Sequence, residues 1–325
     1  MSVSYRTLFA VLLLSCSLTF AQPPGMPPGG PPPGGTQRGG PMPKANTDGI
    51  KNKFLDIAYA QKSPAQKLDI YLPNEGTGPF PIIVSIHGGA FKMGDKGDFQ
   101  VNAALSGLKR GYAVVSINYR LSGEAIYPAQ IQDVKAAIRW IRANAKTYKL
   151  NPDKIATWGG SAGGNLSALA GTTGDVTDFD DASLGNASQS SRVQAVVDWF
   201  GPIQFDQMDP QFKASGKGKA DHDEANSPES QLIGKPITQA PELVKRASPA
   251  AYISKADPPF FIEHGTNDPL VPTQQSINFT AALTAVLGKD KVTYTPIEGA
   301  GHGGPQFETP ENLEKVFAFL DKHLK

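Results

Sequence analysis

Ser161 stands in Trp158-Gly159-Gly160-Ser161-Ala162-Gly163-Gly164. The apolar run before it, residues 155–158, reads as a strand, and residues 165–170 read as the start of a buried helix. A serine between strand and helix, with glycine two residues to either side, has the pattern of a nucleophile elbow. The glycines let flanking backbones pass closely, and the tight turn lifts the hydroxyl above the sheet. It also leaves the N–H of Ala162 free to bind a developing oxyanion.

A serine hydroxyl needs a general base, and the chain has five histidines. His302, in Glu298-Gly299-Ala300-Gly301-His302-Gly303-Gly304, follows the last expected strand in a glycine-rich loop that can bring an imidazole over the serine. Asp268 follows the preceding expected strand. A buried carboxylate there would hold the imidazole tautomer and stabilise the imidazolium. Asp198, at the end of an earlier strand, is the alternative acid. His87-Gly88-Gly89-Ala90-Phe91 follows the apolar run 80–86 and matches the loop that supplies further oxyanion donors. The donor set is then the N–H groups of Gly88, Gly89, Ala90 and Ala162, with Gly89 or Ala90 preferred in the loop, and His87 is scaffold. His264 ends a strand and reads as structural, and His323 as a solvent-facing helix residue. His222 lies in a charge run, 219–224, that reads as solvated; a metal site there is the alternative, without recognisable ligand spacing.

The elements that must position these groups follow from periodicity. Residues 54–59 and 67–72 alternate and suggest antiparallel strands with one wet face. Runs 80–86 and 112–118 are near-continuously apolar, as in strands buried on both faces. Residues 155–158, 193–199, 260–264 and 292–297 are further strands, and 99–110, 128–148, 271–287 and 310–324 are helices. Strands alternating with helices predict an α/β fold with a mainly parallel sheet, whose ligands bind beyond the carboxyl ends of the strands. Two polar segments, 172–191 and 202–247, are read as following strands on that face; each is either a cap over the site or a surface loop.

Composition bounds the rest. Residues 1–21 carry Arg6, an apolar run and a small-x-small end, and read as a signal peptide, so the protein is expected to be secreted or periplasmic. Leu13-Leu14-Ser15-Cys16 leaves lipoprotein anchoring through Cys16 as the alternative, and with it the only membrane association. Residues 22–49, rich in proline and glycine, read as a disordered linker, and 50–325 as one catalytic-sized domain. A net charge of +1 suggests no nucleic-acid partner. Cys16 is the only cysteine, so the mature domain has no internal disulfide and no thiolate metal site.

These motifs, with Asn118-Tyr119-Arg120-Leu121-Ser122, Pro128-Ala129-Gln130-Ile131 and Asp268-Pro269-Leu270-Val271-Pro272, resemble the α/β-hydrolase superfamily. Within it the chain is most similar to bacterial feruloyl esterase-like and acetyl-xylan esterase-like carboxylesterases of the HGG class. The resemblance spans nearly everything from Phe54 onward. It implies an α/β-hydrolase fold, catalysis by Ser161, Asp268 and His302 through an acyl-enzyme, no metal and no organic cofactor. It also implies small-acyl or aromatic ester substrates, free or linked to a polysaccharide. A peptidase of the same fold and a non-catalytic binding module are the alternatives. Trp158, Trp199, Phe91 and Tyr127 could line an aromatic-acyl pocket, or simply pack in the core. Oligomeric state is left open.

Overall fold

Eight strands form one sheet in the order β1-β2-β4-β3-β5-β6-β7-β8 in a computed structural model that describes Met1 and residues 42–325. The expected leader with Cys16, and the linker up to residue 41, lie outside the described residues. The strands are β1 (Asn52–Ala58), β2 (Lys67–Leu72), β3 (Phe80–Ile86), β4 (Ala113–Ile117), β5 (Leu150–Gly160), β6 (Ala195–Trp199), β7 (Phe260–Gly265) and β8 (Val292–Ile297). β2 runs antiparallel to β1 and β4, and every other pairing is parallel. This is the α/β-hydrolase arrangement that the resemblance implies.

The continuous apolar runs reflect cover on both faces. In β3, Ile82, Val84 and Ile86 face one core and Ile83 faces the other. The first core packs under helices α2 (Ala129–Ala143), α3 (Ala162–Thr172) and α7 (Gln274–Leu287). The second packs under α8 (Pro310–Leu324) and the short α1 (Asn102–Leu105). α1 is flanked by 3-10 turns over 99–101 and 106–110, so the single helix expected at 99–110 is three short pieces. β5 begins five residues before the expected strand.

The edge of the sheet departs from expectation. β1 is exposed on both faces, including Phe54 and Leu55, while β2 is buried almost throughout. β1 is an edge strand, and β2 lies between two neighbours, so alternation in each does not report one wet face. Residues 42–49, assigned by composition to the linker, run along the 95–102 segment. Phe99 N–H donates to Pro43 O (2.8 Å), Ala45 N–H to Gly97 O (2.9 Å), and Asn46 N–H to Asn102 Oδ1 (2.9 Å). Such backbone pairing leaves no side-chain signature.

The two unassigned segments separate by topology. Residues 172–191 follow the far end of α3 and lead into the start of β6, so they lie at the edge opposite Ser161 and cap nothing there. Two buried cations on α2 strap them down: Lys135 Nζ donates to Thr173 O (2.9 Å) and Val176 O (2.8 Å), and Arg139 binds Asp180 and the Asp181 carbonyl. Residues 202–247 follow the carboxyl end of β6 and carry helices α4 (Met208–Ser215), α5 (Pro228–Ile233) and α6 (Pro241–Arg246). Both ends of this insertion bind one residue of α3: Asn165 Nδ2 donates to Pro202 O (2.7 Å) and Ala247 O (3.5 Å).

The Arg120 motif has a structural part to play. Arg120 forms a two-pronged ion pair with Asp133 of α2, which also accepts from Gln66 Nε2 and the Arg120 N–H. Both side chains are buried, so removing one partner strands a charge. Asp133→Ala is expected to lower unfolding stability by about 3–5 kcal/mol in urea titration; a loss below about 1 kcal/mol would show that Arg120 finds water or another partner.

Candidate active site

The turn at Ser161 is built by close backbone approach. A Cβ on Gly163 would sit 2.0 Å from the Ile86 carbonyl oxygen, and one on Gly159 would sit 2.4 Å from the Gly163 carbonyl. Ser161 itself takes φ 58°, ψ −124°, a conformation few side-chain-bearing residues adopt. Its N–H donates to Trp199 O (2.8 Å) and its carbonyl accepts from Asn165 N–H (3.0 Å), which hold the turn.

The loops after β7 and β8 bring the other two residues to it. His302 Nε2 lies 2.8 Å from Ser161 Oγ, and Nδ1 lies 2.7 Å from Asp268 Oδ2. Asp268 can only accept, so Nδ1 carries a proton and Nε2 is left to take one from the hydroxyl. Asp268 Oδ1 accepts from the N–H groups of Leu270 (2.8 Å) and Val271 (2.9 Å). Burial works to raise the pKa of Asp268, but the charge on His302 and hydrogen bonds from His264 and His302 outweigh it. The carboxyl is held well below its usual range.

Several residues here carried no functional signal in the sequence. His264 packs behind Asp268, with Nε2 3.2 Å from Oδ2 and 3.0 Å from Val271 O. Both are acceptors, so Nε2 is the protonated nitrogen, and Nδ1 accepts from Ser276 Oγ–H (2.7 Å). Phe200, with φ 45°, sets its ring edge-on to His302 at 4.7 Å. His222 is buried, not solvated: Nδ1 meets Asp209 Oδ1 (2.8 Å) and Nε2 meets Leu270 O (3.1 Å). It thereby ties α4 to the loop carrying Asp268. Among the described residues no cluster of three or more His, Cys, Asp or Glu is placed to hold a metal.

The loop after β3 lies over the elbow, and a Cβ on Gly88 would be 3.3 Å from Ser161 Cβ. The Gly88 N–H is not an available donor. It is bound to Gln100 Oε1 at 2.8 Å. Gln100 cannot turn over, because its Nε2 donates to Asp98 Oδ2 (3.1 Å). No acceptor among the described residues takes the N–H of Gly89, Ala90 or Ala162. Gly89 (φ 109°) and Ala90 (φ 55°) both lie at positive φ, so the loop turns sharply at these two residues. His87 is scaffold: its Nδ1–H meets Gly88 O (2.8 Å), and its ring stacks on Tyr119 at 4.4 Å.

Asp198, the alternative acid, is committed elsewhere. Its Oδ1 accepts from Gly201 N–H (3.0 Å), and Oδ2 has no partner in the described chain. Trp158, Trp199, Phe91 and Tyr127 are all buried. The two tryptophans pack edge-to-face with each other, and Trp158 also with Phe317, in the core under α8, so they line no acyl pocket.

Two experiments probe this surround. Gln100→Leu frees the Gly88 peptide to rotate and should lower turnover of an aryl acetate at least about tenfold with KM little changed. Losing one oxyanion donor costs about 100- to 1,000-fold, so unaltered turnover would release Gln100 from this role. Burial pushes the Asp198 carboxyl up to about 7, well above its value in an unfolded chain of about 4. Folding therefore holds that proton more tightly. Its contribution is fully present below about pH 4 and is lost as pH rises to about 7. Asp198→Asn cannot ionise, so the fall in Tm between pH 5 and pH 8 should be smaller than in the parent chain. An identical fall in both would place the pH dependence elsewhere.

Known proteins match this fold. The BD-FAE family profile matches residues 68–283. The esterase LipC of Mycobacterium tuberculosis is 34% identical over 242 residues, covering 74% of this chain and 57% of LipC. The chain thus spans little more than half the length of such curated relatives. A truncated carbohydrate esterase from gut microbiota superposes with a TM-score of 0.77 at 35% identity, covering 86% of this chain and 99% of that one. A bifunctional GH43-CE protein of Bacteroides eggerthii superposes with a TM-score of 0.74 at 38% identity, covering 84% of this chain and 35% of that one. The chain belongs to the BD-FAE family and has the α/β-hydrolase fold.

Proposed function

We propose that the protein is an exported serine carboxylesterase acting on short-acyl or hydroxycinnamoyl esters, including those that decorate plant polysaccharides. The observation that carries the reading is the unbroken chain Ser161 Oγ, His302 Nε2, His302 Nδ1, Asp268 Oδ2, with links of 2.8 and 2.7 Å. Ser161 Oγ attacks the ester carbonyl as its proton passes to His302 Nε2. Asp268 stabilises the imidazolium, and the N–H groups of Ala162 and of Gly89 or Ala90 receive the charge on the former carbonyl oxygen. Collapse breaks the carbon–oxygen bond to the alcohol, which leaves with the proton from His302. Water then repeats the sequence and releases the acid.

The carbohydrate esterase likeness supports a polysaccharide-linked substrate, and the composition of residues 1–21 supports export. His302 must be neutral to accept the proton, and Asp268, held well below the usual carboxylate range, keeps its negative charge beside the imidazole.

Ser161→Ala should abolish hydrolysis of a chromogenic acetate and labelling by a fluorophosphonate, with the thermal transition preserved. Retained turnover would falsify the nucleophile. Wild-type turnover of a peptide anilide in place of aryl acetate would favour a peptidase, and failure of the wild type to label would favour a binding module.

A further inference from the structure

A cavity of about 560 Å³ opens between the insertion and the loops after β3 and β4. Its volume falls within the range of small-molecule sites, about 300–1,000 Å³. One wall is Lys92, a second is Ser122 and Gly123, and the roof is Gln231, Gly234 and Lys235 from the end of α5 and the turn beyond it. We propose that this cavity is the leaving-group subsite and that Lys92 and Lys235 select an anionic saccharide, a glycan ester bearing a uronate. The assignment rests on the esterase reading above and adds the chemistry of the alcohol side.

Position is the first argument. The cavity lies at the carboxyl ends of β3 and β4, on the rim that carries Ser161, and two of its walls are bonded to the oxyanion loop. Lys92 N–H donates to Gly89 O (2.9 Å), and Ser122 N–H donates to Phe91 O (2.8 Å). A group seated here is therefore registered against the loop that orients the ester.

Preformation is the second. Tyr127 N–H donates to Leu232 O (2.8 Å), fixing the roof to the segment that leads into α2. Gly234 turns at φ 82°, and a Cβ there would meet Ile126 Cδ1 at 2.9 Å. The roof turn is thus packed against Ile126, in the segment between β4 and α2.

Chemistry is the third. No aromatic side chain lines the cavity, and its apolar contributions are Ala225 and Pro236. A hydroxycinnamoyl ring gains most from aromatic and aliphatic walls, which are absent. Hydroxyls, a side-chain amide and exposed peptide groups suit a sugar instead. No carboxylate lines the cavity; Glu124, Glu224 and Glu229, next in sequence to lining residues, are not among them, and Glu229 is buried. Lys92 and Lys235, both exposed, are the only charged residues lining the cavity, and two cations at one cavity favour an anionic ligand.

The test uses the whole protein, its Lys92→Gln, Lys235→Gln and double variants, and four substrates. These are an aryl acetate, a neutral acetylated xylo-oligosaccharide, the same oligosaccharide carrying a glucuronate branch, and an aryl hemisuccinate. The wild type should prefer the acidic oligosaccharide by about fivefold to tenfold in kcat/KM, expressed in KM, and lose that preference in 0.5 M salt, about 1 kcal/mol for exposed charge pairs. The double variant should treat both oligosaccharides alike and keep its aryl acetate turnover. Equal kcat/KM for acidic and neutral oligosaccharides in the wild type, or a preference that survives in the double variant, overturns the assignment. A preference confined to the hemisuccinate places the carboxylate on the acyl side and also overturns it. Absence of aryl acetate turnover is seen before any saccharide is added; it sinks the esterase reading, and this assignment with it.

Discussion

Where β3 and β5 pass the elbow there is no room for a side chain. A Cβ at residue 163 would meet the Ile86 carbonyl at 2.0 Å, and one at residue 159 would meet Gly163 at 2.4 Å. That contact forces Ser161 into a strained turn of a kind costing about 1–3 kcal/mol, sustained only because the surroundings over-determine it. It also lays the loop after β3 directly on the loop after β5. Ser161 and the Gly88–Ala90 loop follow different strands, yet they are spaced by one backbone-to-backbone contact. Opening it by a single methyl group would move both together.

The charges follow a comparable logic. Asp198, Glu263 and Asp268 are all buried at the ends of β6 and β7, and burial pushes each pKa upward. What separates them is the number of donors. Asp268 accepts from two peptide N–H groups and two imidazoles. Asp198 accepts from one N–H and rises to about 7, and Glu263, with Asn312 Nδ2 at 3.0 Å, rises to about 8. Of these three, only the carboxyl beside the imidazole is held below its usual range.

The triad positions and the sheet were legible because each leaves a mark in residue type. A strand covered on both faces must be apolar almost throughout, and β3 and β4 are, each with a single buried serine. An elbow needs glycines two residues from its serine. Edge strands carry no such mark: Phe54 and Leu55 look like core residues and face solvent. Helices α4 to α6 went unread because six to eight residues give too short a period, and their signals are local, such as the Ser227 cap that accepts from Ser230 N–H. Gln100, Phe200 and His264 act through geometry alone. A glutamine that consumes one N–H looks like any other glutamine until the loop it holds is in place.

The insertion shows how the fold links substrate shape to the nucleophile. Phe205, Met208, Leu232, Ile233 and Val244 from the insertion join the same buried cluster as Leu166 and Leu169 of α3. Asn165 binds both of its ends, and Asn165 N–H donates to the Ser161 carbonyl. The first turn of α3 therefore carries the serine at its entrance and both anchor points of the roof one turn on. A roof that shares its core with the main domain cannot swing as a separate body without exposing that cluster to water, at about 25 cal/mol for each Å² of apolar surface. Under the proposed assignment, what the insertion contributes is the side chains it presents, because its shared core holds it in place.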